Sequence, residues 1–377
     1  MSTQNRPSGL GPEPTIGIVR RGFSSSGGAE SYLKRLAAGL VEAGRKVALF
    51  TSADWPREEW DFGPLVRVAG SSAIAFANAL EKTPRDHCDL LLSLERVWKC
   101  DAYRAGDGVH RAWLERRNEL AGPLQKLSRV LNRKHAATLE LEEALFAKRG
   151  AGRVIANSRM VKEEIVRFYG YPADRIDVVY NGLPLQSMER REEDRVATRQ
   201  SFGIGKEEVA VLFAGSGWER KGLRFAVEGV EGAGNQVRLL VAGQGDHRKF
   251  RSPQVQFLGV VREMPSLYLA TDIFLLPTLY DPFSNACLEA LAAGRPVVTT
   301  RANGFAEIIE SGRHGTVVEK PNDVEAIGNA LQFWSDPARR AQAQIDNHAL
   351  ATQFDISRNV SETLNVLKLE GRALSRP

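Results

Sequence analysis

Tyr280-Asp-Pro-Phe-Ser-Asn-Ala-Cys-Leu-Glu-Ala-Leu-Ala-Ala-Gly-Arg-Pro-Val-Val298 leaves the apolar run DIFLLPT (272 to 278) and ends inside the next, PVVTT (296 to 300). Ser284 or Asn285 can cap a helix that Gly294 ends ten residues later. The segment therefore reads strand, loop, helix, strand. The free N–H groups at such a helix start carry roughly +0.5 of a charge and bind phosphate oxygens without a metal. Asp281 precedes the helix and Glu289 lies about one turn inside it, so two carboxylates can flank one ligand at different depths. Carboxylates that accept paired hydrogen bonds from vicinal diols are a common grip on ribose and hexose rings. On bare chemistry the two residues read equally well as a turn aspartate and a solvated helix carboxylate.

Outward from this segment, Val/Ile/Leu-rich runs alternate with helical stretches, the pattern of parallel strands joined by crossover helices. One series comprises TIGIVR (15 to 20), KVALFTS (46 to 52), LVRVAG (65 to 70), DLLLSL (89 to 94) and RVIANS (153 to 158). The other comprises VAVLFAG (209 to 215), VRLLVAG (237 to 243), VQFLG (255 to 259), DIFLLPT, PVVTT and GTVVE (315 to 319). Near-continuous apolar strands belong to a sheet covered on both faces, so the fold class is α/β. Between the first two runs Tyr32, Leu33, Leu36, Leu40 and Val41 share one helical face that Gly44 can terminate. Strand character lapses and charge dominates after Leu183, which places a boundary near Asn181 to Leu185. The domains are read as 1–182 and 183–354. A polar helical tail, about 355–377, is expected to pack back on the first.

Arg220 and Lys221 follow VAVLFAG and a Gly215-Ser-Gly217 turn, at the carboxyl end of a strand where a crevice ligand would lie. Two cations there can neutralise a departing diphosphate, although an isolated basic pair is more often plain surface. The turn lacks the third glycine of a dinucleotide fingerprint and the spacing of a P-loop, which disfavours an NAD-dependent oxidoreductase. Gly27 and Gly28 allow close backbone approach where the first helix starts. No Asp-x-Asp triplet occurs anywhere in the chain, so a diphosphate held through a divalent metal by that device is not expected.

Composition bounds the class. The 377 residues are 43% hydrophobic and 26% charged, with net charge +5. That is ordinary for a soluble two-domain protein. Cys88, Cys100 and Cys287 form neither a disulfide framework nor a zinc spacing, which fits a reducing cytoplasmic setting. No signal-like or membrane-spanning apolar run is present, so a standard secretory or integral membrane protein is not expected. Residues 1–180 hold 28 Lys/Arg against 22 Asp/Glu, and residues 96–135 alone hold ten against four. That local excess points to an anionic partner such as an acidic membrane surface. With 8% aromatics and no stacking platform among the basic residues, nucleic acid is not expected as a partner.

Ser26-Gly27-Gly28-Ala29-Glu30, Ile155-Ala-Asn-Ser158, Val179-Tyr-Asn-Gly182, Gly217-Trp-Glu-Arg-Lys-Gly222 and Asp281-x7-Glu289 occur in this order. Taken together, the chain resembles the retaining glycosyltransferases of family 4. Gly106-Asp-Gly-Val-His-Arg-Ala-Trp-Leu-Glu-Arg-Arg117 resembles the branch that glucosylates heptose in the lipopolysaccharide core. The resemblance implies a GT-B fold, two Rossmann-like domains whose parallel sheets face an interdomain cleft, with acceptor in the first domain and donor in the second. It also implies metal-independent transfer of a hexose, glucose first, from a UDP-sugar to a glycolipid or oligosaccharide acceptor, with no further cofactor. Glu289 would hold the ribose, Asp281 the sugar hydroxyls, and Arg220 with Lys221 the diphosphate. Gly27, Gly28, Gly217, Arg262, Phe283, Ser284 and Asn285 would complete the donor site. Asp107 or His110 would lie near the anomeric carbon. Asp281 stands where the family usually has glutamate, and a shorter carboxylate can reach a different hydroxyl. A non-hydrolysing nucleotide-sugar epimerase or a non-catalytic sugar-nucleotide sensor would share much of this layout.

Overall fold

A computed structural model describes residues 14–24, 27–120, 133–188 and 194–373, with side chains to 367 in the last segment. Ser26 and Arg129 lie outside them. The first sheet contains β1 (Ile16–Val19), β2 (Val47–Thr51), β3 (Leu65–Arg67), β4 (Leu90–Ser93), β5 (Cys100–Ala105), β6 (Ala151–Ala156) and β7 (Ile176–Val178). Their order is β3-β2-β1-β4-β5-β6-β7, parallel throughout. The second sheet contains β8 (Val209–Ala214), β9 (Val237–Ala242), β10 (Val255–Gly259), β11 (Ile273–Leu276), β12 (Val297–Thr300) and β13 (Gly315–Val318). Its order is β10-β9-β8-β11-β12-β13, also parallel. Both are doubly wound α/β sheets, and together they form the GT-B fold. One hydrophobic cluster fills the second unit, and two flank the first sheet.

All eleven strands of the two series occur, the short strand-like stretch AYRAGD (102–107) falls on β5, and β7 is additional. In β5 the buried chain reads Cys-Asp-Ala-Tyr-Arg-Ala, because two polar side chains have internal partners. Asp101 accepts from the Leu91 amide at 2.7 Å, and Arg104, 1% exposed, donates to Asn181 Oδ1 at 2.7 Å and stacks over the Tyr32 ring. Polar groups satisfied by distant residues break the apolar run, so β5 reads as no more than a short strand-like stretch. β7 is a three-residue edge strand.

The first crossover helix, Gly28–Glu42, buries Tyr32, Leu33, Leu36 and Leu40, but Val41 is 42% exposed and lies off the apolar face. Chain crossings between the units run side by side. The Leu183 amide donates to the Phe354 carbonyl and the Ile356 amide to the Leu183 carbonyl, both at 2.9 Å. The final helix, Ile356–Ala373, packs on Gly28–Glu42, where Tyr32 donates to Asn359 at 3.0 Å. A Cβ at Gly39 would sit 2.5 Å from Val360, so the two helices approach closely only because residue 39 is glycine. Among the described residues no helix is long and apolar enough to cross a membrane.

Candidate active site

Ligands of doubly wound sheets bind beyond the carboxyl ends of the strands, where the strand order reverses. Those points are β1/β4 in the first sheet and β8/β11 in the second. Arg20 leaves β1, Glu95 follows β4 and Asp107 follows β5. Arg20 lies 3.2 Å from Glu30, 3.7 Å from Glu95 and 3.6 Å from Asp107, and Arg96 lies 3.6 Å from Asp107 and 3.0 Å from Glu142. Arg20, Glu95, Arg96 and Asp107 line a cavity of 280 Å³. Partial desolvation pushes the Asp107 carboxyl upward, with its side chain still 43% exposed, but Arg20, Arg96 and Arg220 outweigh it and hold the group below its usual range. Arg220 belongs to the other unit, so its field reaches Asp107 across the cleft.

On the opposite wall the short helix Trp218–Lys221 follows β8, entered through Gly217 at φ 73°. Lys221 Nζ is 3.5 Å from Asp281 Oδ2, in the loop after β11. A Cβ on Gly215 would stand 2.7 Å from Lys221 Cε, so the glycine makes room for the lysine stem. Ser284 caps the helix Asn285–Ala292 by accepting from the Cys287 amide at 3.3 Å. Asn285 instead reaches across the cleft, accepting from Asn181 at 2.7 Å and donating to the Gly28 carbonyl at 3.5 Å. The starts of two helices, at Gly28 and Asn285, thereby meet, with Gly27 as the cap position of the first. Glu289 accepts from Tyr268 at 3.1 Å and lies 3.6 Å from Arg35 of the first unit. Burial raises its pKa against the opposing pull of Arg35, Tyr268 and Lys221.

Three expectations change. Phe283 is core, 3% exposed, with its ring 5.5 Å from Tyr180 and 5.8 Å from Phe305, so only its backbone fronts the cleft, where its carbonyl accepts from Asn181. Arg262 stands exposed in the loop between β10 and the helix Met264–Ala270. His110 turns from Asp107 toward His135, ring nitrogens 2.9 Å apart. The basic segment 96–135 is partly spent inside the protein: Arg96, Arg116 and Arg117 pair with Glu142, Glu164 and Glu219, and Arg104 is buried. Arg133 is exposed.

Burial, with repulsion from Arg96, His135 and Arg117, lowers the His110 pKa to about 4. An unfolded histidine titrates near 6.5, so between about pH 4 and 6.5 the unfolded chain binds more protons. Stability contributed by this group is whole above about 6.5 and lost as pH falls toward 4. Histidine NMR is expected to show His110 neutral at pH 5, and His110→Gln to flatten the acid limb of stability; a His110 titrating near 6.5 would refute it.

Sequence reading passed over Arg20, Arg35, Glu95, Arg96, Tyr268 and Tyr280. Arg20, Glu95 and Arg96 carried a usable signal, since they follow directly on the apolar strands β1 and β4.

Residues 104–187 match the model of glycosyltransferase family 4, and 208–335 that of glycosyl transferases group 1. The uncharacterized glycosyltransferase MJ1607 of Methanocaldococcus jannaschii is 28% identical over 59% of this chain, which spans 62% of that relative, less than two thirds of its length. Lipopolysaccharide glucosyltransferase WaaG of Escherichia coli K12 is 24% identical over 87% of this chain and 91% of its own. The crystal structure of WaaG, a glycosyltransferase involved in lipopolysaccharide biosynthesis, superposes with TM-score 0.78 at 20% identity, over 93% of this chain and 99% of that one. Anabaena Alr3699/HepE in complex with UDP-glucose superposes with TM-score 0.72 at 19% identity, over 95% and 100%. The two matched models fall on opposite walls of one cleft, and both describe sugar transfer: by family model and fold the chain is a glycosyltransferase of GT-B architecture, similar to family 4 in its first unit and to group 1 in its second.

Proposed function

We propose that this glycosyltransferase moves a hexose, glucose first, from a UDP-sugar to a hydroxyl of a lipopolysaccharide core or similar lipid-linked glycan, with retention and without a metal. The observation that carries the reading is the Lys221–Asp281 pair at 3.5 Å, which sets a cation and a carboxylate at the β8/β11 switch point beside a capped helix start. Glu289 holds the ribose diol, Asp281 the sugar hydroxyls, and Arg220 with Lys221 the diphosphate. Asp107 faces the anomeric carbon from the acceptor wall. The acceptor hydroxyl attacks as the bond from anomeric carbon to phosphate oxygen breaks, and that leaving oxygen takes the acceptor proton on the same face. The two cations balance the negative charge gathering on the diphosphate. A complex of Alr3699/HepE with UDP-glucose supports the donor class, and the WaaG likeness supports the acceptor class.

Incubation with labelled UDP-glucose, UDP-galactose, UDP-N-acetylglucosamine and GDP-mannose, with and without a heptose-containing core oligosaccharide, tests the reading. Label is expected in glycan from UDP-glucose, in the presence of EDTA. An isomerised nucleotide sugar formed without acceptor would make it an epimerase, and activity lost to EDTA and restored by Mn would remove metal independence. A lipid-linked acceptor lies in an anionic membrane, which the remaining positive side chains of the basic segment can meet at about 1 kcal/mol each. The protein is expected to sediment with anionic but not neutral vesicles at low salt, and Arg129→Glu with Arg133→Glu to weaken this without changing UDP affinity. Equal sedimentation with both vesicle types would dismiss the membrane contact.

A further inference from the structure

Tyr280 leaves the second sheet with the loop after β11, yet its ring is 1% exposed within the hydrophobic cluster of the first unit. Its hydroxyl donates to Glu164 Oε2 at 2.8 Å and accepts from the Val109 amide at 2.7 Å. Arg116, ion-paired with Glu164, covers the ring 5.0 Å from its centroid. Gly108, at φ 69°, closes the fit, since a Cβ there would sit 2.3 Å from the hydroxyl oxygen. Glu164 is a carboxylate whose pKa burial raises against Arg116 and the Tyr280 bond, so this contact is formed in a dry site.

The neighbours on each side matter. Asp281 follows Tyr280 and pairs with Lys221, while Val109 lies two residues after Asp107 and caps the helix His110–Glu119. Glu142 takes the next two amides of that helix, His110 at 2.6 Å and Arg111 at 3.3 Å. From within the first unit Arg96 donates to the Gly108 carbonyl at 2.9 Å and Asn157 to the Gly106 carbonyl at 3.2 Å, and one side chain from the donor wall takes the Val109 amide. We propose that Tyr280 is a positioning residue: by bonding Val109 and Glu164 it fixes the Asp107 turn of the acceptor wall against the Asp281 loop, so that the state of the donor site is transmitted to Asp107. This rests on the reading of the Asp281 to Glu289 segment as the donor site.

The test uses the full chain and UDP. In the wild type, saturating UDP is expected to slow hydrogen exchange at least tenfold in the peptide containing Val109 and His110, which lies in the opposite unit. Tyr280→Phe keeps the ring, the Gly108 fit and the Arg116 contact, and removes only the hydroxyl. It is expected to bind UDP within about twofold of wild type by calorimetry, yet to lose the UDP-dependent protection and at least tenfold in kcat with UDP-glucose and a heptose-containing acceptor, at unchanged donor KM. Glu164→Leu reads the same bond from its other end and is expected to match it, which covers the case of an unstable Tyr280→Phe. Protection by UDP that persists in both variants, whatever their thermal stability, would reduce Tyr280 to a packing anchor. Glu289→Ala separates the two ideas: wild-type UDP affinity in that variant would remove the donor assignment and the positioning role with it.

Discussion

Lys221→Ala is expected to lower turnover by a factor of about 10² to 10³ while UDP affinity changes by only a few fold. The lysine is 14% exposed, points at Asp281 and stands at the carboxyl end of β8, where a leaving diphosphate gathers charge. A cation that meets charge mainly in the transition state affects kcat, whereas one that binds ground and transition states alike affects KM. Steady-state kinetics with UDP-glucose, together with UDP calorimetry, separate the two cases. Equal losses in kcat/KM and in UDP binding would make Lys221 a uniform binding contact. Lys221→Arg is expected to recover only part of the loss, because a planar fork on a stem packed against Gly215 cannot place its charge where a compact ammonium does.

The largest loss of stability is expected at Asp272, far from the cleft. Its side chain, 6% exposed, sits at the amino end of β11 and accepts from Arg195 at 2.6 Å, Arg199 at 2.9 Å and the Ala210 amide at 2.8 Å, with Arg340 3.7 Å away. Removing the carboxylate leaves three guanidiniums facing one another in a half-dry site. Breaking a buried pair from one side typically costs about 3 to 5 kcal/mol. Asp272→Ala should therefore lower the melting temperature by on the order of 10 °C, given about 2 to 4 °C per kcal/mol for a domain of this size. UDP affinity at low temperature should be kept, since the cluster lies at the opposite end of the strands from the donor site. A melting temperature within about 2 °C of wild type would show that the arginines find other partners.

Strand positions and the doubly wound class were legible in the sequence because they follow from local pattern. A parallel strand covered on both faces must be apolar throughout, and Ser284 and Gly294 mark a helix by their own hydrogen-bonding and conformational habits. The same locality made Arg220, Lys221 and Asp281 readable, since residues just past such strands face the crevice. Tertiary structure decided whatever depends on a partner distant in sequence. Arg104 interrupts the apolar run of β5 and is tolerated there because Asn181 satisfies it from 77 residues away, and Arg116 counted as surface charge until Glu164 neutralised it. The His110 ring is held by a second histidine and its amide by Glu142, and Tyr280 crosses from one wall into the core of the other. A side chain's charge and size are written in the sequence, but its partner is chosen by how the two sheets close on each other, because burial forces each polar group to be satisfied by whatever the fold brings within reach.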